Sequence, residues 1–205
     1  MGGPDLVALI RAIGTGDRST AAQLITADPS LARARLARSD EFFVEECRQQ
    51  FYAGDTALHA AACAYDVEIA ATLVNHGADI DARNRRGAQP IHTATTGGPG
   101  PDDWDPVRQR EVIAVLVALG ADPNARASGG VTPLHRAVRN RCSGAVDALL
   151  NAGADPTLAN DRGSTALDLA SWTTGRGGTG SPEAKVEQQA IVARLSEESS
   201  PPRGS

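Results

Sequence analysis

Residues 130–155 carry two short words, Gly130-Val131-Thr132-Pro133-Leu134-His135 and Leu149-Leu150-Asn151-Ala152-Gly153-Ala154-Asp155, and both recur along the chain. The first returns as Gly54-Asp55-Thr56-Ala57-Leu58-His59, Gly87-Ala88-Gln89-Pro90-Ile91-His92 and Gly163-Ser164-Thr165-Ala166-Leu167-Asp168. Gly54 and Gly87 are 33 residues apart, Gly87 and Gly130 are 43, and Gly130 and Gly163 are again 33. The second word returns as Leu73-Val74-Asn75-His76-Gly77-Ala78-Asp79 and Leu116-Val117-Ala118-Leu119-Gly120-Ala121-Asp122. Each word has a mechanical reading. A Thr ahead of a helix accepts from its unpaired amides, and Pro at the first helical position loses nothing because that N–H has no partner. The Gly of the second word takes the left-handed conformation that closes a helix. Ala60, Ala61 and Ala62 let neighbouring units approach closely. One helix pair cannot bury its apolar face alone, so the units must stack.

Outward from this register, residues 4–36 read as a degenerate first unit. Leu6, Leu9, Ile10 and Ile13 fall at helical spacing, Gly14-Thr15-Gly16-Asp17 breaks the chain, and Ala21, Leu24 and Ile25 form a second helix. At the far end Asp168 replaces the recurrent histidine, and Ser181-Pro182-Glu183 opens a last helix that runs to about Leu195.

The 33-residue period and the T-P-L-H and L-L-x-x-G-A-D words resemble the ankyrin repeat, in a bacterial-type form with insertions in repeats two and four. The resemblance implies an all-α ankyrin-repeat solenoid of about five helix pairs with three insertions. Its expected organisation is one domain over residues 1–199. That domain comprises an N-terminal capping unit (4–36), a helical insert (37–53), repeats at 54–86, 87–129 and 130–162, and a C-terminal capping unit (163–198). Residues 199–205 are expected to be a disordered tail.

Composition narrows the function. Twenty-five acids against 20 bases leave a net charge of −5, which argues against a nucleic-acid partner. Lys185 is the one lysine, so the remaining cations are arginines. That Ala/Arg-rich, Lys-poor composition is associated with GC-rich bacterial genomes. Three cysteines, Cys47, Cys63 and Cys142, are an odd number and too few for a disulfide scaffold. The longest apolar run, Val112 to Ala118, is far short of the ~20 residues a membrane-spanning helix needs. The N-terminus shows no secretory leader, and Leu6 stands where myristoylation wants Ser or Thr. A cytoplasmic protein with reduced thiols and no membrane partner is expected.

Three segments exceed what the repeat needs: 37–53, the stretch around Gly97 to Trp104, and Thr173 to Gly180. The seven aromatic residues avoid the repeat words: Phe42, Phe43, Phe51, Tyr52, Trp104 and Trp172 lie in or beside those segments, and Tyr65 stands where the family usually has a glycine. They serve either as apolar anchors that lay the extra segments on the solenoid or as a binding surface. In the first segment Phe43, Cys47 and Phe51, four residues apart, suggest one stripe of a short helix. Glu41 and Glu45 then fall on its solvated face rather than forming an acid–base couple.

The resemblance also implies where a partner is held, on the hairpin tips and the exposed side of the first helices of each unit. Carried over place by place, this path includes Tyr52, Arg85, Arg86, Arg139, Arg162 and Trp172, together with Asp55, Cys63, Ala88, Thr96, Asn140, Ser164 and Thr173. A planar guanidinium suits carboxylate or phosphate, so an anionic surface or group is expected on the partner. Two long loops flanking the short turn Arg139-Asn140-Arg141-Cys142 suggest a notch. The loops bearing Trp104 and Arg176 would wall it, and Arg139 and Arg141 would form its floor. The candidate set is therefore Tyr52, Arg85, Arg86, Trp104, Arg139, Arg141, Arg162, Trp172 and Arg176. The expected function is non-catalytic protein–protein interaction through the concave face and hairpin tips. The alternative is binding or enzymatic conversion of a small anionic ligand between the inserted loops.

Other patterns carry less. Gly175-Arg176-Gly177-Gly178-Thr179-Gly180 spells G-x-G-x-x-G but follows a helix, where the dinucleotide fingerprint needs a strand. As a loop running into a helix start it could at most hold an anion. His59, His92 and His135 occupy one repeat place in successive units, a stacking distance apart, so they cannot share a metal whose ligands must sit ~2 Å away. Hydrogen bonds between adjacent turns are their expected role. His59 and Cys63 are spaced for a thiolate–imidazolium pair, but the repeat already claims His59. Asp102, Asp103 and Asp105 lack a calcium-loop pattern, and Asp105 is placed to cap the helix opened by Pro106. No catalytic residue, metal or cofactor is assigned.

Overall fold

The computed structural model describes residues 3–99, 104–171 and 181–198. Trp172, Arg176 with the third extra segment, Asp102, Asp103 and the tail at 199–205 lie outside the described residues. Five helix pairs follow in order: α1 (Gly3–Gly14) with α2 (Arg18–Ala27), α3 (Ala57–Cys63) with α4 (Val67–Asn75), α5 (Pro90–Thr93) with α6 (Pro106–Ala118), α7 (Pro133–Arg139) with α8 (Ser143–Asn151), and α9 (Ala166–Ser171) with α10 (Pro182–Glu198). The short first helices pack in a row, α1 on α3, α3 on α5, α5 on α7 and α7 on α9, and the second helices make a second row behind them. The chain is a mostly helical repeat solenoid.

The repeat words do what their chemistry dictates. At the heads of α3, α5 and α7 the ring Nδ1 of His59, His92 and His135 accepts from the amides of Thr56, Gln89 and Thr132 at 3.2, 3.2 and 3.3 Å. That fixes each ring as the tautomer with hydrogen on Nε2, which reaches forward to the carbonyls of Ala88, Val131 and Ser164 in the next unit at 3.1, 3.1 and 2.9 Å. The three imidazoles are thus inter-unit ties, and all three lie buried. Gly77, Gly120 and Gly153 take φ of +84°, +108° and +90° and close α4, α6 and α8. Asp105 accepts from Val107 and Arg108 at 2.9 and 3.0 Å, capping α6 ahead of Pro106.

Burial runs as one continuous core from Leu6, Leu9 and Ile10 through Leu58, Leu73, Ile91, Ile113 and Leu134 to Ile191 and Leu195. Small residues set the spacing: Ala57, Ala60, Ala61 and Ala62 are fully buried, so α3 presents almost bare backbone to its neighbours.

The expected helix across Phe43, Cys47 and Phe51 does not form. The segment is an antiparallel hairpin, β1 (Phe42–Val44) and β2 (Gln49–Phe51), with Phe42 opposite Phe51, Phe43 opposite Gln50 and Val44 opposite Gln49. The governing period is two: Phe42 and Val44 face the solenoid while Phe43 points to solvent, and Phe51 is completely buried. The Phe42 and Phe51 rings meet with centroids 5.7 Å apart. Arg48, at φ +48° in the turn, supplies the left-handed residue that reverses the chain.

Candidate functional site

Arginine does two separate jobs, and the geometry divides them. Arg35, Arg83 and Arg126 hold the same place in successive units, and each reaches to the backbone of the next hairpin. Arg35 donates to the Arg83 carbonyl at 3.3 Å, Arg83 to the Arg126 carbonyl at 2.6 Å, and Arg126 to the Ala159 carbonyl at 2.9 Å. These side chains are stitching. They act alongside amide bonds from Arg85 to Ala53, Ser128 to Arg86 and Asp161 to Gly129, at 2.7, 3.0 and 2.9 Å.

Two further groups of arginines stand out. At the first tip Tyr52 lies under two guanidiniums, with the Arg85 and Arg86 carbons 4.7 and 4.3 Å from the ring centroid. Arg85 is committed: it grips Glu41 through Nε–Oε1 at 2.6 Å and Nη2–Oε2 at 3.0 Å. Glu41 also accepts from the Ala53 amide at 2.9 Å. That backbone hydrogen bond, then the Arg85 contact, hold the Glu41 carboxyl below its ordinary range. Glu41 is therefore a structural acid that fastens the hairpin, not half of an acid–base couple. Arg86 rests on Tyr52 with no carboxylate partner among the described residues.

The second group lines a groove of about 710 Å³ bounded by α7, α9, α10 and the hairpin tips at 128–131 and 160–164. Arg139 ends α7 and is exposed, Arg141 follows the turn at φ +59°, and Arg162 projects from the next hairpin tip. Asn160 sets that tip by accepting from the amides of Arg162 and Ser164 at 2.9 and 3.2 Å. Among the described residues no acid pairs with Arg139, Arg141 or Arg162, and the one carboxylate on the lining is Asp161. Arg136, on α7 with Arg139, is largely buried, with one guanidinium nitrogen lacking any partner among the described residues. Burial, then the neighbouring Arg139 charge, push its pKa down from the usual guanidinium value. His135 lies on the same lining. Burial depresses its basicity, only partly offset by the Ser164 carbonyl bond, so it is a neutral donor.

Trp104 belongs elsewhere. Its indole donates to Gln109 Oε1 at 3.1 Å, while Gln109 Nε2 donates to the Tyr65 hydroxyl and to the Ala94 and Thr96 carbonyls at 3.2, 3.1 and 3.0 Å. Tyr65 in turn donates its hydroxyl to the Thr96 carbonyl. Gln109 is fully buried and every polar atom of its amide is used, so it clamps the chain on both sides of the second extra segment. Trp104 and Arg108 line a different cavity of about 670 Å³, with Cys47, Cys63, Tyr65 and Asp66. Cations there are occupied: Arg18 bonds Asp66 at 2.6 Å and Glu68 at 3.1 Å, and Arg108 donates to the Tyr65 carbonyl at 3.2 Å.

Of the residues expected at a site, then, Arg139, Arg141 and Arg162 come together, and Tyr52, Arg85 and Arg86 come together. Trp104 lines the cavity that also takes in Cys47 and Cys63, while Arg139 and Arg141 line the other groove; the Arg176 loop, the other wall expected of the notch, lies outside the described residues. Arg136, Gln109 and the Arg35–Arg83–Arg126 series had not been singled out. The recurrent Ala34-Arg35, Ala82-Arg83 and Ala125-Arg126 pairs were the available signal for the last. Among the described residues no cluster of His, Cys, Asp and Glu could hold a metal ion. No helix there is long and apolar enough to cross a membrane.

Comparison with known families agrees with this architecture. A family model described as ankyrin repeats (3 copies) matches residues 9–127, and one described as ankyrin repeats (many copies) matches residues 116–170. No curated protein matches the chain.

Proposed function

Because the chain belongs to the ankyrin-repeat family, whose repeats are generally protein–protein interaction modules, we propose that it binds an acidic segment of a partner protein in the α7–α9 groove. One observation carries this reading: Arg139, Arg141 and Arg162 converge on a single groove without carboxylate partners among the described residues, in a chain of net charge −5. Arginines that pair with acids do so elsewhere, as at Glu41, Asp66 and Asp79, which supports an external partner for these three. Arg86 on Tyr52 extends the cationic path along the hairpin tips. The groove's side chains bind rather than react, since His135 has both ring nitrogens engaged.

The test is titration of a fluorescein-labelled glutamate decapeptide into the full chain. Wild type is expected to bind with an affinity that falls as salt rises, and R139E/R141E to weaken binding at least tenfold. Equal binding by both proteins contradicts the reading. Free glutamate or inorganic phosphate competing as well as the peptide would point instead to a small anionic ligand in a groove of this volume.

A further inference from the structure

The 670 Å³ cavity beside Trp104 contains a pair of thiols that the binding groove does not use. Cys47 lies in the β1–β2 turn and is half-buried, while Cys63 is the last residue of α3 and is buried. The Cys63 thiol donates to the Cys47 carbonyl oxygen at 3.8 Å, which brings the two side chains together at the hairpin turn. Both side chains line the cavity, and Cys47 is the more exposed of the two. Room for the pair comes from Gly14, where an added Cβ would sit 2.9 Å from Val44 Cγ1 and 3.3 Å from Cys47 Sγ. The third cysteine differs: Cys142 is buried and donates to the Gly97 carbonyl at 3.0 Å, facing neither of the others.

We propose that Cys47 and Cys63 are a peroxide-oxidised dithiol whose disulfide staples the β1–β2 hairpin to the end of α3. Cys47 is the attacking thiol. It is the more exposed of the two, and the hydrogen bond from Cys63 holds its pKa below the ordinary thiol value, favouring the thiolate. Cys63 is the resolving thiol, kept protonated first by its bond to Cys47 and then by burial. The Cys47 thiolate attacks one oxygen of hydrogen peroxide, the O–O bond breaks, and the departing hydroxide takes a proton and leaves as water. Cys47 is then a sulfenic acid. Cys63 attacks that sulfur, the S–O bond breaks, and the hydroxyl leaves with the Cys63 proton as a second water. Two thiols lose two electrons, and one peroxide is reduced to two waters. The disulfide joins positions 16 residues apart, so the hairpin carrying Tyr52 on its outgoing side becomes covalently fixed to the solenoid.

The experiment treats the reduced full chain with hydrogen peroxide, then counts thiols in denaturant and maps peptides without reductant. The thiol count is expected to fall from three to one, with Cys142 the survivor and one intramolecular peptide pair joining Cys47 to Cys63. In C63S, Cys47 is expected to stop at a sulfenic acid that dimedone traps, and in C47S, Cys63 is expected to stay reduced. Three surviving thiols, sulfinic acid accumulating on wild-type Cys47, or linkages through Cys142 or between chains would each overturn the proposal. Should either serine variant fail to fold, the wild-type peptide map decides alone.

Discussion

Arg85 holds Glu41 through two contacts, 2.6 and 3.0 Å long, across 44 residues of sequence. This bond ties the start of the β1–β2 hairpin to the first repeat tip and, with Arg86, frames the Tyr52 ring. The carboxyl is held below its ordinary value in the fold, so its contribution is present above the unfolded value near ~4.3 and is lost as pH falls through the lower folded value. Denaturant midpoints of wild type and E41Q should therefore differ at pH 7 and converge below pH ~4. A difference that persists unchanged into acid would assign the effect to packing instead.

The histidine ladder predicts acid lability of a second kind. Burial lowers the pKa of His59, His92 and His135, that of His92 to about 3. The unfolded chain takes up protons near pH ~6.5 while the fold cannot, so stability is full above that value. It should fall as pH drops below that value, for His92 down to about 3, by up to about 1.4 kcal/mol per pH unit for each histidine that stays neutral in the fold. Urea unfolding at pH 7, 6 and 5 measures the slope, and H92Q should flatten it. Resonances assigned to His59, His92 or His135 that titrate in the native chain near pH ~6.5 would contradict the assignment.

Gln109 is the clamp whose loss should be most visible. Q109A leaves the Trp104 indole and the Ala94 carbonyl without their partner and the Thr96 carbonyl with Tyr65 alone, at about 1–3 kcal/mol for each orphaned group that water cannot reach. In a W172F background, Trp104 fluorescence should shift to the red and the unfolding midpoint should drop by several tenths molar urea or more. Unchanged emission would mean that the indole is not held there.

Arg141 offers a trade between stability and binding. Its φ of +59° is left-handed, a conformation costing a side-chain-bearing residue about 1–2 kcal/mol, and its guanidinium has no acidic partner among the described residues to offset that. R141G should stabilise the chain by up to ~1 kcal/mol in chemical denaturation while weakening the glutamate decapeptide severalfold. Loss of stability in R141G would show that the side chain is held by contacts within the fold.

The stacking register was legible because it is written in local chemistry: Thr132-Pro133 starts a helix, Gly153 ends one, and His135 recurs at a fixed place. The hairpin was not, because Phe43, Cys47 and Phe51 satisfy a helical spacing that Phe42, Val44 and Phe51 overrule by burying on alternate positions. Tyr65 departs from the family glycine yet keeps its left-handed φ of +54°, using its hydroxyl on Thr96 as compensation. Which arginines are stitching and which are unpaired depends on the distance to the next unit's carbonyl, and composition holds no trace of that. Arg83 and Arg86, three residues apart, do opposite jobs.

The most direct measurement is residue-resolved: arginine Nε–Hε and backbone amide shifts of the labelled full chain during titration with the glutamate decapeptide. Saturable, salt-sensitive shifts are expected at Arg139, Arg141 and Arg162, smaller ones at Arg86, and none at Arg83 or Arg126. Shifts centred on Arg18 and Arg108 in the other cavity, or on the second-helix row at α4, α6 and α8, would contradict groove binding.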